Sequence, residues 1–233
     1  MTGVVVTAAG SSLRMGGQKK EFRLSGIPDG DGTELSVLGA AVRPFFDHPQ
    51  ISAIIITVPE GAAPRAREVL PPRFFTPGAK PIAFIAGGST RRASIQRALE
   101  ALRGYAIDRV LIHDGARPWV SGELIQRVLT ALTTHEAVIP VLPLSETPKE
   151  IDSKGIIVRH LVRARTVAAQ TPQGFAFREI LDAHREEALR IEKGGEDDCT
   201  DDAEVWSRYS GIVQVVPGTP ENRKITFPQD LPL

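Results

Sequence analysis

Compact β-branched runs, each too short for a helix and too apolar for a surface, recur along this chain and restrict it to few architectures. Gly3–Ala8, Ser52–Val58, Pro81–Ala86, Arg109–His113 and Ala137–Val141 have the character of strands buried on both faces. Segments of helical period lie between them. Ile95, Ala98, Leu99 and Leu102 repeat at i, i+3, i+4, i+7, and Leu124, Ile125, Val128, Leu129 and Leu132 form a second such stripe. Strand–helix alternation of this kind predicts an α/β fold, a mostly parallel sheet with helices on both faces. No internal repeat or low-complexity linker divides the chain, so residues 1–233 read as one domain. One stretch breaks the rhythm. Glu146–Ile151 and Ile156–Leu161 read as two strands joined by Asp152-Ser153-Lys154-Gly155, a β-hairpin inserted at about 144–161. A two-stranded ribbon is marginal alone in water, so it needs a surface to pack on, either the parent domain or a second subunit.

Charge and cysteine content exclude several classes of protein. The 233 residues hold 28 Lys or Arg and 28 Asp or Glu, so the formal net charge is zero. No global field would gather nucleic acid or an anionic membrane, although a local basic pocket remains open. The single cysteine, Cys199, excludes an intrachain disulfide and a cysteine zinc cage, which fits a reducing compartment. Its neighbours Asp197 and Asp198 argue against a lowered thiol pKa. No run approaches the roughly 18 apolar residues of a membrane span. Met1-Thr2-Gly3-Val4-Val5-Val6 lacks the basic start of a secretory signal, and the expectation is a cytoplasmic enzyme.

The chemistry-bearing segments follow the strands. After the first comes Ala8-Ala9-Gly10-Ser11-Ser12-Leu13-Arg14-Met15-Gly16-Gly17-Gln18-Lys19-Lys20. Small residues let backbone N–H groups approach phosphate oxygens, and Arg14, Lys19 and Lys20 add positive charge. This is neither a P-loop, since Lys20 precedes Glu21, nor a dinucleotide fingerprint, since Ser12 holds the second glycine position. Asp114 ends the fourth strand, where an open sheet faces its ligand crevice and a carboxylate can hold Mg²⁺; Arg117 can fork onto phosphate. A helix cap with an arginine partner is the structural alternative. Gly87-Gly88-Ser89-Thr90 could contact a nucleoside or simply cap a helix. Gln170-Thr171-Pro172-Gln173-Gly174, Thr200-Asp201-Asp202 and Asn222-Arg223-Lys224 are polar clusters beside apolar runs. His113 reads as structural. No H-E-x-x-H, C-x-x-C or G-x-S-x-G is present.

In this order and combination the segments resemble the 2-C-methyl-D-erythritol 4-phosphate cytidylyltransferase family of the non-mevalonate isoprenoid pathway. The matching stretches are Ala8-Ala9-Gly10-x-x-x-Arg14-Met15-Gly16 with Lys20, Gly87-Gly88 with Ser94, His113 to Pro118, Ala168 to Gln173, Thr200 to Ala203, and Asn222-x-Lys224-Ile225-Thr226. The resemblance implies a single Rossmann-like nucleotidyltransferase domain with a projecting β-hairpin arm. It places Ala8, Ala9, Gly10, Gly87, Gly88 and Ser94 at CTP, and Arg14 and Lys20 at the transition state. Asp114 falls at Mg²⁺, with Arg117 beside it. Thr147 and Arg163 come from the arm to the sugar-alcohol phosphate across a homodimer interface, with Thr171, Thr200 and Lys224 completing that pocket; Arg163 and Lys224 count among the catalytic residues.

The implied reaction suits these residues. A phosphate monoester is already ionised near neutral pH, its second pKa being about 6, so no general base is needed. Two anions must instead be brought together and the charge on the five-coordinate phosphorus offset, which cations and Mg²⁺ do. Departures from the family pattern are Lys19 in place of proline before Lys20, Glu146 in place of aspartate on the arm, Val162 in place of aspartate before Arg163, Arg165 two residues on, and a long Ile27–Thr33 loop. Three other readings are a ribitol-5-phosphate cytidylyltransferase, a non-catalytic CTP-binding regulatory domain and, least consistent with the broken glycine fingerprint, a dinucleotide oxidoreductase.

Overall fold

Successive side chains of a strand point to opposite faces, and the valines of the first strand fill both. In the computed structural model, which describes residues 1–10, 19–196 and 199–231, β1 (Thr2–Thr7) sends Val4 and Val6 into one apolar cluster and Val5 into another. The remaining elements follow in order. They are β2 (Leu24–Pro28), β3 (Glu34–Ser36), α1 (Val37–Asp47), β4 (Ile51–Val58), α2 (Ala63–Glu68), β5 (Ile82–Ala86), α3 (Arg91–Leu102) and β6 (Arg109–Asp114). Then come α4 (Gly122–Ala131), β7 (Ala137–Pro143), β8 (Lys149–Ile151), β9 (Ile157–His160), β10 (Val167–Ala169), β11 (Gln173–Ala176), α5 (Phe177–Glu192), α6 (Asp202–Tyr209) and β12 (Gln214–Pro217).

The main sheet runs β10-β7-β11-β6-β1-β4-β5, with β12 on β7. Its pairs β4–β5, β1–β4, β1–β6 and β7–β12 are parallel. The expected alternation therefore holds for the centre of the sheet. It fails at β11, an antiparallel strand wedged between β6 and β7. Gln-Gly-Phe-Ala is too short to show a period, and Phe175 is its one large apolar anchor. Helices cover both faces as expected. Phe45 of α1 and Leu124 and Val128 of α4 pack with Val4, Val6, Ile54 and Ile56. On the other side Ile95 and Leu99 of α3, Ile180 of α5 and Trp206 of α6 pack with Val5, Ile55 and Ile112. Each fully buried Val or Ile contributes about 1.5–3 kcal/mol. Hydroxyl or carboxylate caps start four helices: Ser36, Thr90, Ser121 and Asp201 each accept a backbone N–H three residues on.

The inserted hairpin forms with shorter strands than its sequence indicates, β8 and β9. Its turn closes by Gly155 N–H to the Asp152 carbonyl at 3.0 Å, with Gly155 at φ +80°, a conformation that glycine adopts without strain. Both faces of the ribbon stand in solvent, so the parent domain does not cover it: Ile151, Ile156, Ile157 and Val158 are each about half exposed or more. The Ile27–Thr33 stretch is part of a second hairpin, β2–β3. Asp29 at its tip is tied to the body by Arg73 at 3.2 Å.

Candidate active site

Because β1, β4, β5 and β6 are parallel, their carboxyl ends meet at one rim, and the segments that follow them are forced together. Ala8 N–H donates to the Thr57 carbonyl at 2.9 Å, Gly87 N–H to that of Val58 at 2.8 Å, and Gly115 N–H to that of Thr7 at 2.9 Å. A Cβ on Gly87 would lie 2.4 Å from the Ala9 Cβ, so only glycine lets these two loops touch. Ser94 shapes the same turn: its hydroxyl accepts the Gly88 N–H at 3.0 Å and donates to the Thr90 carbonyl at 2.8 Å.

Asp114 is the centre of charge. Its Oδ2 receives Lys224 Nζ at 3.0 Å and Arg117 Nε at 3.2 Å, while Oδ1 has no hydrogen-bond partner among the described residues. Burial alone would raise its pKa. The charges of Lys224, Arg91 and Arg117 outweigh burial and hold the carboxyl well below the usual range. A relay fixes its backbone. Asp114 N–H donates to Thr171 Oγ1 at 3.2 Å, and Thr171 Oγ1 pairs with His113 Nδ1 at 2.9 Å. The hydroxyl proton goes to Nδ1, so the other ring nitrogen carries its proton to the Arg117 carbonyl at 3.2 Å. Burial, only partly offset by Asp114, pushes His113 down to about 4. It is a neutral strut, as the sequence indicates.

The two lysines after the first loop are used differently. Lys20, 8% exposed, donates Nζ to the Ile225 carbonyl at 2.6 Å and so reaches the segment that carries Lys224. Lys19 bonds the Gly10 carbonyl and pairs with Glu21 at 3.6 Å. Burial lowers its pKa, with Glu21 opposing. Arg14 lies outside the described residues. Thr200 is turned to the helix that follows it, Oγ1 donating to Glu204 Oε2 at 3.0 Å. Thr147 and Arg163 lie at the base of the hairpin, where Arg163 Nη1 donates to the Ser145 carbonyl at 2.8 Å. Among the described residues neither bonds to the Asp114 cluster within this chain.

Asn222 carries more than its sequence shows. Fully buried, it donates Nδ2 to the Thr171 carbonyl at 2.7 Å, and its own carbonyl accepts Arg117 Nη1 at 2.8 Å and Gln170 Nε2 at 3.2 Å. It locks the Lys224 segment onto the rim. Asn222→Ala is expected to cost about 1–3 kcal/mol and to lower kcat/KM about tenfold or more, read by thermal melting and pyrophosphate release. Cys199 is the inert thiol expected, but for another reason. Burial and then the Glu187 carboxylate push it up to about 12. Iodoacetamide is expected to modify it slowly at pH 8, faster as pH rises, by mass spectrometry.

Among the described residues no three His, Cys, Asp or Glu side chains form a metal cage. Asp114 Oδ1, unbonded among the described residues, nevertheless fits Mg²⁺, a hard cation commonly held by one carboxylate plus substrate phosphates.

Glycine-lined backbone, gathered cations and a buried carboxylate meet at the rim of a mostly parallel sheet, where a protein of the α/β class presents its ligand site. Comparison with known proteins narrows this. The chain belongs to the IspD family, 2-C-methyl-D-erythritol 4-phosphate cytidylyltransferase, whose model matches residues 2–233. It is 38% identical over 233 residues to the bifunctional enzyme IspD/IspF of Rhodopseudomonas palustris, strain HaA2, covering 98% of this chain and 53% of that protein. The corresponding protein of Brucella anthropi is 35% identical over 232 residues, with 97% and 53% covered. The chain thus spans about half the length of the curated relatives it matches. Among solved structures, 2-C-methyl-D-erythritol 4-phosphate cytidylyltransferase of Thermus thermophilus superposes with a TM-score of 0.71 at 32% identity, covering 97% of this chain and 93% of that one. The 4-diphosphocytidyl-2C-methyl-D-erythritol synthase of Anaerococcus prevotii gives 0.77 at 26%, covering 98% and 92%. No helix among the described residues is long and apolar enough to cross a membrane.

Proposed function

We propose that the chain transfers CMP from CTP to 2-C-methyl-D-erythritol 4-phosphate, giving 4-diphosphocytidyl-2-C-methyl-D-erythritol and pyrophosphate. The observation that carries the reading is Asp114, buried at the end of β6 with Lys224 and Arg117 on one oxygen and the other unbonded among the described residues. Backbone N–H groups of Ala8–Gly10 and the Gly87–Ser94 turn would receive the nucleotide. Lys224 and Arg117 would draw in the phosphate monoester, with Thr171 and Thr200 beside them. A monoester oxygen attacks the α-phosphorus, the new P–O bond forms, and the bond to the β-phosphate oxygen breaks. Arg14 and Lys20 offset the charge that builds on the α-phosphoryl oxygens. No side chain takes a proton. Mg²⁺, held by Asp114, would supply Lewis-acid charge to the triphosphate.

The test is pyrophosphate release with CTP and either 2-C-methyl-D-erythritol 4-phosphate or ribitol 5-phosphate. Preference for the first is expected. Preference for ribitol 5-phosphate reassigns the substrate, and CTP binding without release removes the enzymatic reading.

The exposed apolar hairpin supports a homodimer in which each arm brings Thr147 and Arg163 to its partner's pocket. The double variant Ile156→Asp/Val158→Asp is expected to sediment as a monomer and to lose most turnover. Wild-type protein that sediments as a fully active monomer rules this assembly out.

A further inference from the structure

Behind the rim lies a buried charged group that none of these roles uses. Asp202, the first residue of α6 and 1% exposed, receives Arg91 Nη2 on Oδ2 at 2.8 Å and His184 Nε2 on Oδ1 at 3.2 Å. A carboxylate only accepts, so the imidazole proton belongs on Nε2. The buried Nδ1, which has no partner among the described residues, is then an acceptor rather than an orphaned donor.

Each end of this ion pair sits beside residues of the proposed site. Arg91 opens α3, next to its cap Thr90 and three residues before Ser94. Asp202 follows the cap Asp201 and lies two residues from Thr200. Gln173 fastens that end by donating Nε2 to Asp201 Oδ2 at 2.8 Å and accepting Ala203 N–H at 3.1 Å. Burial of Arg91 works against its charge, but Asp202, Asp114 and Asp201 together outweigh it. The guanidinium is therefore within electrostatic reach of three carboxylates, Asp202, Asp201 and Asp114, and bonds Asp202. Released from Asp202, it would be drawn to Asp114 and would carry the nucleotide turn with it.

We propose that the Arg91–Asp202 pair is a strut that holds the Gly87–Ser94 turn at its working distance from Asp114 and from Thr200. Arg91 and Asp202 are thereby positioning residues for CTP, a conclusion that rests on the CTP-dependent reading above. A pair that served only stability would lower the melting temperature and leave the kinetics of folded protein untouched.

The experiment measures KM for CTP, kcat and calorimetric CTP affinity in Arg91→Ala, Arg91→Lys and Asp202→Asn. Loss of a charged hydrogen bond that organises the site is expected to raise KM and the CTP dissociation constant about tenfold or more in Arg91→Ala, with kcat changed less. Tens of millimolar guanidinium, but not NaCl of equal ionic strength, is expected to restore part of that loss. Asp202→Asn is expected to act in the same direction and to add less than twofold on an Arg91→Ala background. Arg91→Lys keeps the charge without the fork, so it tests the same contrast if the alanine variant does not fold. KM and CTP affinity within twofold of wild type in a folded Arg91 variant overturn the strut, as does a loss that guanidinium leaves unchanged. If wild type releases no pyrophosphate yet binds CTP tenfold better than Arg91→Lys, the strut stands and the transfer reading falls.

Discussion

Asp114→Asn lowers pyrophosphate release by about 10³-fold or more and also lowers the melting temperature, a combination expected of few other substitutions at this rim. Asparagine keeps the shape of the side chain and removes its charge. Lys224 and Arg117 then face a neutral amide that offsets neither charge, and Arg91, still bonded to Asp202, loses the field of Asp114. Breaking a buried pair from one side costs about 3–5 kcal/mol, and the 40% exposure of the Lys224 side chain reduces that, by solvent screening, to about 1–3 kcal/mol. The loss in rate is larger because the same carboxylate would hold Mg²⁺ and would orient two of the cations that bind phosphate. The acid limb of stability gives an independent check. The folded-state pKa of Asp114 lies below the ordinary 3.8, so its ionised form stabilises the fold above that pH, and the contribution is lost as pH falls below it. Asp114→Asn should therefore flatten the fall in melting temperature on acidification. A variant with turnover within tenfold of wild type removes Asp114 from the centre of the site.

Much of the frame was legible because β-branched runs leave a local trace and parallel strands impose a common rim. Once β1, β5 and β6 are recognised, Ala8–Gly10, Gly87–Gly88 and Asp114–Arg117 must lie near one another whatever the intervening loops do. The long helix α5 left less trace. Its buried stripe runs through Phe177, Ile180, Leu181, His184 and Glu187, and the last two break the apolar period. They are tolerated because Asp202 pairs with His184, while Arg190, Arg208 and Tyr209 bond Glu187. In α1, Gly39 and Pro44 weaken the local helical preference, and packing of Leu38, Val42 and Phe45 against the sheet overrides it. Asn222 and Arg91 could be seen as polar residues but not as anchors, because their partners lie 51 and 111 residues away. Long-range hydrogen bonds leave no local pattern.

The lysines separate most sharply by substitution. Lys224→Ala and Lys20→Ala are each expected to lower kcat/KM by about 10²–10³-fold, the usual scale for one preorganised charge facing a transition state. Lys19→Ala should cost less than about tenfold, because its ammonium is taken up by the Gly10 carbonyl and Glu21. Loss of Lys224 should appear largely as a higher KM for the sugar phosphate, since it stands with Arg117 on Asp114 where that phosphate would enter. Loss of Lys20 should appear in kcat, with KM for the sugar phosphate little changed, because in the proposed reaction its charge offsets the α-phosphoryl oxygens. The two are not independent. Lys20 Nζ holds the Ile225 carbonyl at 2.6 Å, one residue beyond Lys224, so removing Lys20 also loosens the support of its neighbour. The double variant should therefore lose less than the product of the single losses, as groups that act as a unit do. Steady-state kinetics with both substrates varied reads all of this. If Lys19→Ala proves the more damaging of the adjacent pair, the cation that serves the triphosphate is Lys19, and Lys20 is left as an anchor for the segment that bears Lys224.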